Sequence, residues 1–309
     1  MNDKLIAICV PTFRRPELLR SCLMAIAELQ APEKHNLNIV VADNDEEKSA
    51  QSVCETMSSN ATFPLYYCVE VERGLSSVRN RLLEEALKLN AALVAFIDDD
   101  EQPQRDWLVQ HIKNTLEFGA DVSTGPVRPI SHKLALGDKK TKVSGSKPRN
   151  VSTNNVVFDT KLIRAQGLRF DPFYNFIGGE DFDFFQRSDD LGNSHVWVEE
   201  ALVLETIPAE RDNLRYLFFR HFTGGINSVL RYKRNRSVWR AWARFLPKIA
   251  GKLISSLAFS IISCLRLNKS IFIASVKKLA NGLGYLAGLL NVVVERYKYV
   301  VERYKYVDS

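Results

Sequence analysis

Over the first 130 residues, short apolar runs alternate with stretches whose apolar positions recur at helical spacing. The runs at 5–10, 37–42, 65–69, 92–97 and 121–124 predict strands; the stretches at 17–29, 49–57, 76–89 and 106–118 predict helices. Pro16 stands where a first helical turn tolerates proline, and Ser76 reads as an N-cap. This alternation is that of βαβ units laid into a largely parallel sheet. Further along, a strand is predicted at 155–158, a short helix at 161–166, and a helix at 180–191 opened by Gly178-Gly179. Strands at 196–198 and 202–205 are predicted to close the sheet.

From about Ser237 the pattern changes. Apolar residues recur at 238, 239, 242, 245, 246, 249, 253, 254, 257, 261, 262 and 265, while Arg240, Arg244, Lys248 and Lys252 recur every fourth position, which makes an amphipathic helical face. Pro247 is expected to divide it into two helices. The uncharged stretch 253–265 has 13 residues, short of the roughly 20 that span a bilayer, so it is expected to lie in the interface. A second such segment covers 271–294. The heptapeptide VERYKYV at 294–300 recurs at 301–307, either as a headgroup anchor or as a duplication without a role. The basic stretch 131–150 has no period and reads as a loop, either at the site or as a solvated connector.

The 309 residues, with 46% hydrophobic and 25% charged, suit an ordinary folded chain with a substantial core. The net charge of +6 conceals an asymmetry: residues 1–207 carry a net −8 and residues 208–309 a net +14. Five cysteines without a CxxC pair point to a reducing cytoplasm, and the N-terminus lacks the pattern of a secretory leader. The five histidines show no HExxH spacing, which argues against a zinc hydrolase.

The residues that follow the predicted strands are unusually polar. A buried-looking strand ends in Asp98-Asp99-Asp100-Glu101, where mutual repulsion calls for a cation. This is either a metal–diphosphate site for Mg²⁺ or Mn²⁺ or a solvated acidic turn. Asp43, after the second strand, suits hydrogen bonding to a base or ribose, or a turn. Residues 73–81 (RGLSSVRNR) open a helix with one glycine and three arginines, suited to an anionic ligand. Gly178-Gly179-Glu180-Asp181 puts two acids at a helix start, as dipole partners or as a fixed general base.

The ordered pieces CVPTFRRPELL, VVADND, GLSSVRN, FIDDDE and GGEDFDFFQR resemble the family 2 inverting glycosyltransferases over about residues 5–225, and within them the bacterial exopolysaccharide enzymes of the succinoglycan type. The resemblance implies a GT-A nucleotide-sugar-binding fold, a Rossmann-like α/β/α sandwich with a mixed sheet, as a catalytic domain over 1–225. Residues 226–309 follow as a basic amphipathic helical membrane-associating region. It implies that Pro11 and Phe13 line the base pocket, that Asp43 reads the base with Arg79 close by, and that Asp98 holds the ribose side. Asp99 or Asp100 would take Mn²⁺ or Mg²⁺, with His221 as a further ligand. Asp181 would deprotonate the acceptor hydroxyl and Glu180 orient the acceptor sugar.

The implied reaction is a single displacement: a sugar passes from a nucleotide-sugar, expected to be a UDP-sugar, to a lipid-linked saccharide at the cytoplasmic face of the inner membrane. An anionic membrane surface is the expected partner of the basic C-terminal part, because its long apolar stripe suits lipid better than nucleic acid. The alternatives are a sugar-phosphate nucleotidyltransferase, which normally opens on a glycine-rich loop absent here, and a non-catalytic membrane-surface scaffold.

Overall fold

Five consecutive residues, Ile6 to Val10, are wholly buried, which requires cover on both faces of their strand. The computed structural model describes residues 3–59, 61–130, 142–208, 211–234 and 236–295. In chain order its strands are β1 (Lys4–Thr12), β2 (His35–Asp43), β3 (Leu65–Val69), β4 (Leu93–Phe96), β5 (Glu101–Pro103), β6 (Val122–Thr124), β7 (Val127–Pro129), β8 (Val156–Asp159), β9 (His195–Trp197) and β10 (Val203–Glu205). The α-helices are α1 (Pro16–Ala27), α2 (Gln51–Ser58), α3 (Leu75–Lys88), α4 (Trp107–Phe118), α5 (Lys161–Arg164), α6 (Glu180–Asp190), α7 (Leu214–Arg234), α8 (Val238–Arg266) and α9 (Lys269–Leu289). The predicted elements are present, with ends shifted by a few residues.

The chain forms two compact units. The first comprises Met1–Ile130, Lys140–Asn175 and Glu180–Thr206, and the second includes Phe176–Gly179 and Ile207–Ser309. The first holds a seven-stranded sheet in the order β3-β2-β1-β4-β8-β6-β9, in which only β8 runs against its neighbours. Because side chains alternate along a strand, Ile6, Ile8 and Val10 enter one core with Leu19, Leu23 and Ile26 of α1 and Trp107 and Leu108 of α4. Ala7 and Cys9 enter the other with Val78 and Leu82 of α3 and Phe184 of α6. The result is the expected α/β/α sandwich with a mixed sheet.

Four expectations change. β10 does not join the large sheet; it pairs antiparallel with β5 and parallel with β7 in a small sheet of three. Ser76 is not the N-cap of α3. The cap is Gly74, at φ +141°, and Asn175 does the capping from 98 residues away in sequence: its Oδ1 accepts from the Ser77 N–H at 3.0 Å. A Cβ on Gly74 would fall 2.2 Å from the Asn175 Cγ, so only glycine admits this neighbour, and Ser76 Oγ donates to the Asp171 carbonyl instead. Pro247 does not divide α8, which runs unbroken. Packing of Ala241, Phe245 and Ile249 into one cluster on both sides of the proline outweighs its cost of about 3 kcal/mol. Finally, α8, at 29 residues and about 43 Å, contains an 18-residue window that is long and apolar enough to cross a membrane.

The second unit has an unusual interior. The α7–α9 seam is glycine: a Cβ on Gly284 would lie 2.1 Å from the Phe222 carbonyl oxygen, and one on Gly288 2.8 Å from the Val229 Cβ. The α8–α9 seam is serine, with Ser256 Oγ 3.0 Å from the Ser275 carbonyl oxygen and Ser260 Oγ 2.7 Å from Ser275 Oγ. Large apolar side chains, Trp239, Ile254, Leu257, Ile261 and Leu265 among them, are exposed. Residues 131–141 of the basic stretch, and the 294–307 repeat from residue 296 on, lie outside the described residues.

Candidate active site

The polar residues of the first unit gather where parallel strands end, the edge at which open α/β sheets bind ligands. Beyond β4, Asp98 N–H donates to Glu101 Oε2 at 2.9 Å and Glu101 N–H to the Asp98 carbonyl at 3.2 Å, so the acid row is a tight turn. Asp99, Asp100 and Glu101 are buried, and Asp98 is partly open. Cations reach this row from two sides. Arg15 Nη1 lies 3.2 Å from Asp99 Oδ1 and 3.3 Å from Asp100 Oδ2, and Thr12 Oγ1 donates to Asp99 Oδ2 at 2.8 Å. Arg79 Nη2 lies 3.5 Å from Asp98 Oδ1.

Burial of so many acids raises their proton affinity. Asp100 is pushed up to about 8, first by burial and then by Asp99 and Asp98. Burial also raises Asp99, although Arg15 and the Thr12 hydroxyl oppose the rise, and it lifts Glu101 well above the carboxylate range. A row of buried carboxylates with raised proton affinity is the electrostatic setting in which a divalent ion binds. The oxygen donors suit a hard ion such as Mg²⁺ or Mn²⁺, and the Arg15 guanidinium already stands between two of them as a stand-in cation. Among the described residues no three His, Cys, Asp or Glu side chains are arranged to enclose a metal by themselves. Ions that take one or two carboxylates plus substrate phosphates do not need such a cage. His221 lies on α7, in the second unit.

Glu180 and Asp181 begin α6, where the helix dipole favours acids. They differ in environment. Glu180 is 3% exposed and its Oε1 accepts from Arg79 Nη1; burial pushes it up to about 7 against the pull of Arg79. Asp181 is half-buried and accepts the Phe182 N–H at 2.7 Å. Arg79 faces the Glu180 and Asp98 carboxylates, and Glu180 turns to Arg79, because a buried guanidinium and a buried carboxylate each need the other.

Asp43 is fully buried at the end of β2 and accepts three hydrogen bonds, from Asp45 N–H, Ala50 N–H and the Tyr67 hydroxyl. Burial raises its pKa and these bonds oppose the rise. A cavity of about 500 Å³ between α2 and β3 is lined by Tyr67 but by none of the acids 98–101. Pro11 and Thr12 end β1 and Phe13 follows it; the Arg73 guanidinium lies 4.2 Å over the Phe13 ring. Arg73, Arg15 and Thr12 carry no individual mark in the sequence, although the pair Arg14-Arg15 just after a strand is a visible signal.

A family model described as Glycosyl transferase family 2 matches residues 7–173. The succinoglycan biosynthesis protein ExoM of Rhizobium meliloti is 32% identical over 228 residues, 71% of this chain and 72% of that protein. The glycosyltransferase AglE of Haloferax volcanii is 24% identical over 207 residues, 64% of this chain and 65% of that protein. Among solved structures, the mannosyltransferase PcManGT of Pyrobaculum calidifontis, in complex with GDP-Man and Mn²⁺, superposes with a TM-score of 0.66 at 18% identity, over 93% of this chain and 87% of that one. Residues 1–349 of S. aureus TarS, in complex with UDP-GlcNAc, give 0.55 at 15% identity, over 71% and 66%. At these identities the structural likeness speaks for the fold.

Proposed function

The chain belongs to glycosyl transferase family 2, and from that premise we propose that it transfers a sugar, with inversion, from a nucleotide-sugar to a lipid-linked saccharide in surface or exopolysaccharide assembly. Membership selects a glycosyltransferase over the nucleotidyltransferase and scaffold alternatives. The observation that carries the proposal is the acid row at the end of β4, buried and two-sided: Arg15 meets it from the end of β1 and Arg79 from α3.

In this reading Pro11 and Phe13 line the base pocket, and the Arg73 guanidinium over Phe13 adds a second flat surface for it. Asp43 holds the β2 end that faces the base, and Asp98 takes the ribose side. Asp99 and Asp100 would hold Mn²⁺ or Mg²⁺, which when bound offsets the charge that grows on the departing diphosphate. Asp181 takes the proton of the acceptor hydroxyl as its oxygen attacks the anomeric carbon; its half-open position supports that role over the enclosed Glu180. Glu180 and Arg79 act as positioning residues that tie α6 to α3. A UDP-sugar donor agrees with the resemblance of the base pocket. Titration calorimetry with a panel of nucleotide-sugars, with and without Mn²⁺, tests donor and metal together, and the anomeric configuration of the product tests inversion.

Residues 226–309 are proposed to hold the enzyme on the cytoplasmic face of the inner membrane. The unit supports this in its packing: glycine and serine stand at the closest approaches of α9 to α7 and α8, and Trp239, Ile254, Leu257, Ile261 and Leu265 of α8 face outward although Phe245 and Ile249 are buried. That distribution suits lipid, where small residues join helices. Arg240, Arg244 and Lys248 are exposed beside the apolar face and suit anionic headgroups.

A further inference from the structure

We propose that Asn175 is a positioning residue for Asp181: it locks the segment that leads into α6 onto the first turn of α3, and that lock sets where Asp181 meets the acceptor hydroxyl. This rests on Asp181 as the general base, the reading given above, and adds what holds the base in place.

Residues 170–180 are stitched along α3. Asn80 Nδ2 donates to the Phe170 carbonyl and Asn80 Oδ1 accepts the Phe170 N–H, both at 2.8 Å, and Ser76 Oγ donates to the Asp171 carbonyl at 2.7 Å. Asn175 then makes three bonds to the helix start. Its Oδ1 accepts the Ser77 N–H at 3.0 Å, its Nδ2 donates to Ser77 Oγ at 2.9 Å, and its carbonyl accepts the Leu75 N–H at 3.1 Å. Glu180 returns to the same helix at Arg79. Asn175 and Ser77 are each less than a tenth exposed, so a bond lost there leaves a buried polar group without its partner.

Residues 176–179 form the link between these two anchors, and in it Gly178 and Gly179 stand at φ +81° and +99°. Glycine enters that region without steric cost and enters others as readily, so the backbone of the link does not by itself define where α6 begins. Two attachments to one helix do. Glu180 fixes a single point, and Asn175 supplies the second that sets the direction of the turn. The helix start is built for this purpose: the Gly74 N–H donates to Asn44 Oδ1 at 2.8 Å, and Asn44 Nδ2 donates to the Glu70 and Glu72 carbonyls. The N–H groups of Gly74, Leu75 and Ser77 thus all donate within the chain, and the first turn of α3 is an anchor for the segment that carries the base. Misplacing a reacting group by about 1 Å is enough to lose about 10²-fold in rate.

The test uses the full chain, with the nucleotide-sugar that binds most tightly in the titration panel as donor and lipid-linked saccharides extracted from the membranes of the source cells as acceptor. Asn175→Ala is expected to lower turnover by roughly 10- to 100-fold and to leave donor KM unchanged. Asn175→Asp, which still accepts the Ser77 N–H, is expected to restore most of the turnover. In an Asp181→Asn background Asn175→Ala is expected to cost little more, because a base that is absent cannot be misplaced. Ser77→Ala removes only the hydroxyl; it takes the place of Asn175→Ala should that variant not fold, with a smaller loss of turnover that again vanishes beside Asp181→Asn. An equal fractional loss in both backgrounds, a loss confined to donor KM, or parent turnover in the folded variant overturns the positioning role and leaves Asp181 as the base. Normal turnover in Asp181→Asn alone overturns both.

Discussion

The guanidinium of Arg79 on α3 closes on the Glu180 carboxylate at the first residue of α6 while its other terminal nitrogen stands 3.5 Å from Asp98 at the end of β4. Two consecutive elements, α3 and β4, and a third, α6, 101 residues on from Arg79 meet at one buried cation. Removing one partner of a buried pair strands the other, at a typical cost of about 3–5 kcal/mol. Arg79→Ala is therefore expected to lower stability by roughly 3 kcal/mol or more. Glu180→Gln costs less, because an amide oxygen still accepts from the guanidinium. Chemical denaturation of both variants measures this; an Arg79→Ala protein as stable as the parent would show that the bridge holds nothing.

Asp181→Asn is expected to keep donor and metal binding and to lose transfer by a factor of about 10² or more, the usual size of a general-base contribution. Turnover and nucleotide affinity are measured on the same preparation. Normal turnover in Asp181→Asn with loss in Glu180→Gln would reverse the two roles.

Transfer is expected to stop in EDTA and to return with Mn²⁺ or Mg²⁺. Asp98→Ala and Asp100→Ala are each expected to lose most activity while the fold, read by circular dichroism, is kept, since both follow β4 outside the two hydrophobic clusters that hold the sheet to its helices. Full turnover in EDTA would remove the metal from the mechanism.

His111 of α4 is fully buried between Ser123 Oγ and Asn155 Oδ1, at 2.9 Å from each. The Asn155 amide nitrogen donates to the Pro126 and Ala201 carbonyls, so its oxygen must accept, and His111 is neutral with the proton on Nε2. Burial pushes its pKa down from 6.5 to about 4. The unfolded chain thus takes up a proton between these values that the folded one refuses. Stability from this group is complete above pH 6.5 and is lost as pH falls toward 4, by about 3 kcal/mol. Glu180, pushed up to about 7, contributes the opposite slope, so the measurement is a comparison: urea unfolding of parent and His111→Asn at several pH values. The variant is expected to be weaker at pH 7 and to lose less on acidification; parallel pH profiles would contradict the assignment.

Flotation with anionic vesicles is expected to carry the full chain upward, less so in high salt, and not to carry a chain cut after about residue 235 that still binds donor. Each exposed basic residue near the surface contributes about 1 kcal/mol. A full-length chain that ignores vesicles would leave the apolar face of α8 to a second protein surface.

Sequence determined what is local and periodic in this protein. Alternation of apolar runs and helical spacing specified the strands and helices of the sandwich because a strand buried on both faces, such as β1, must be apolar throughout, and that need is written residue by residue. The acid row, Asp181 and the apolar, basic α8 were legible for the same reason: each is contiguous or regularly spaced. What tertiary structure decided are the partners. Arg79 meets Glu180 across 101 positions, Arg15 meets Asp99 across 84, and Asn175 displaces Ser76 as the cap of α3 across 98 from Ser77. The passage of α8 through Pro247 and the transfer of β10 to the small sheet belong with these. None of them follows from local propensity, because a charge or a hydrogen-bonding group carries no mark of which distant group will share its burial, and burial is set only when the whole chain has packed.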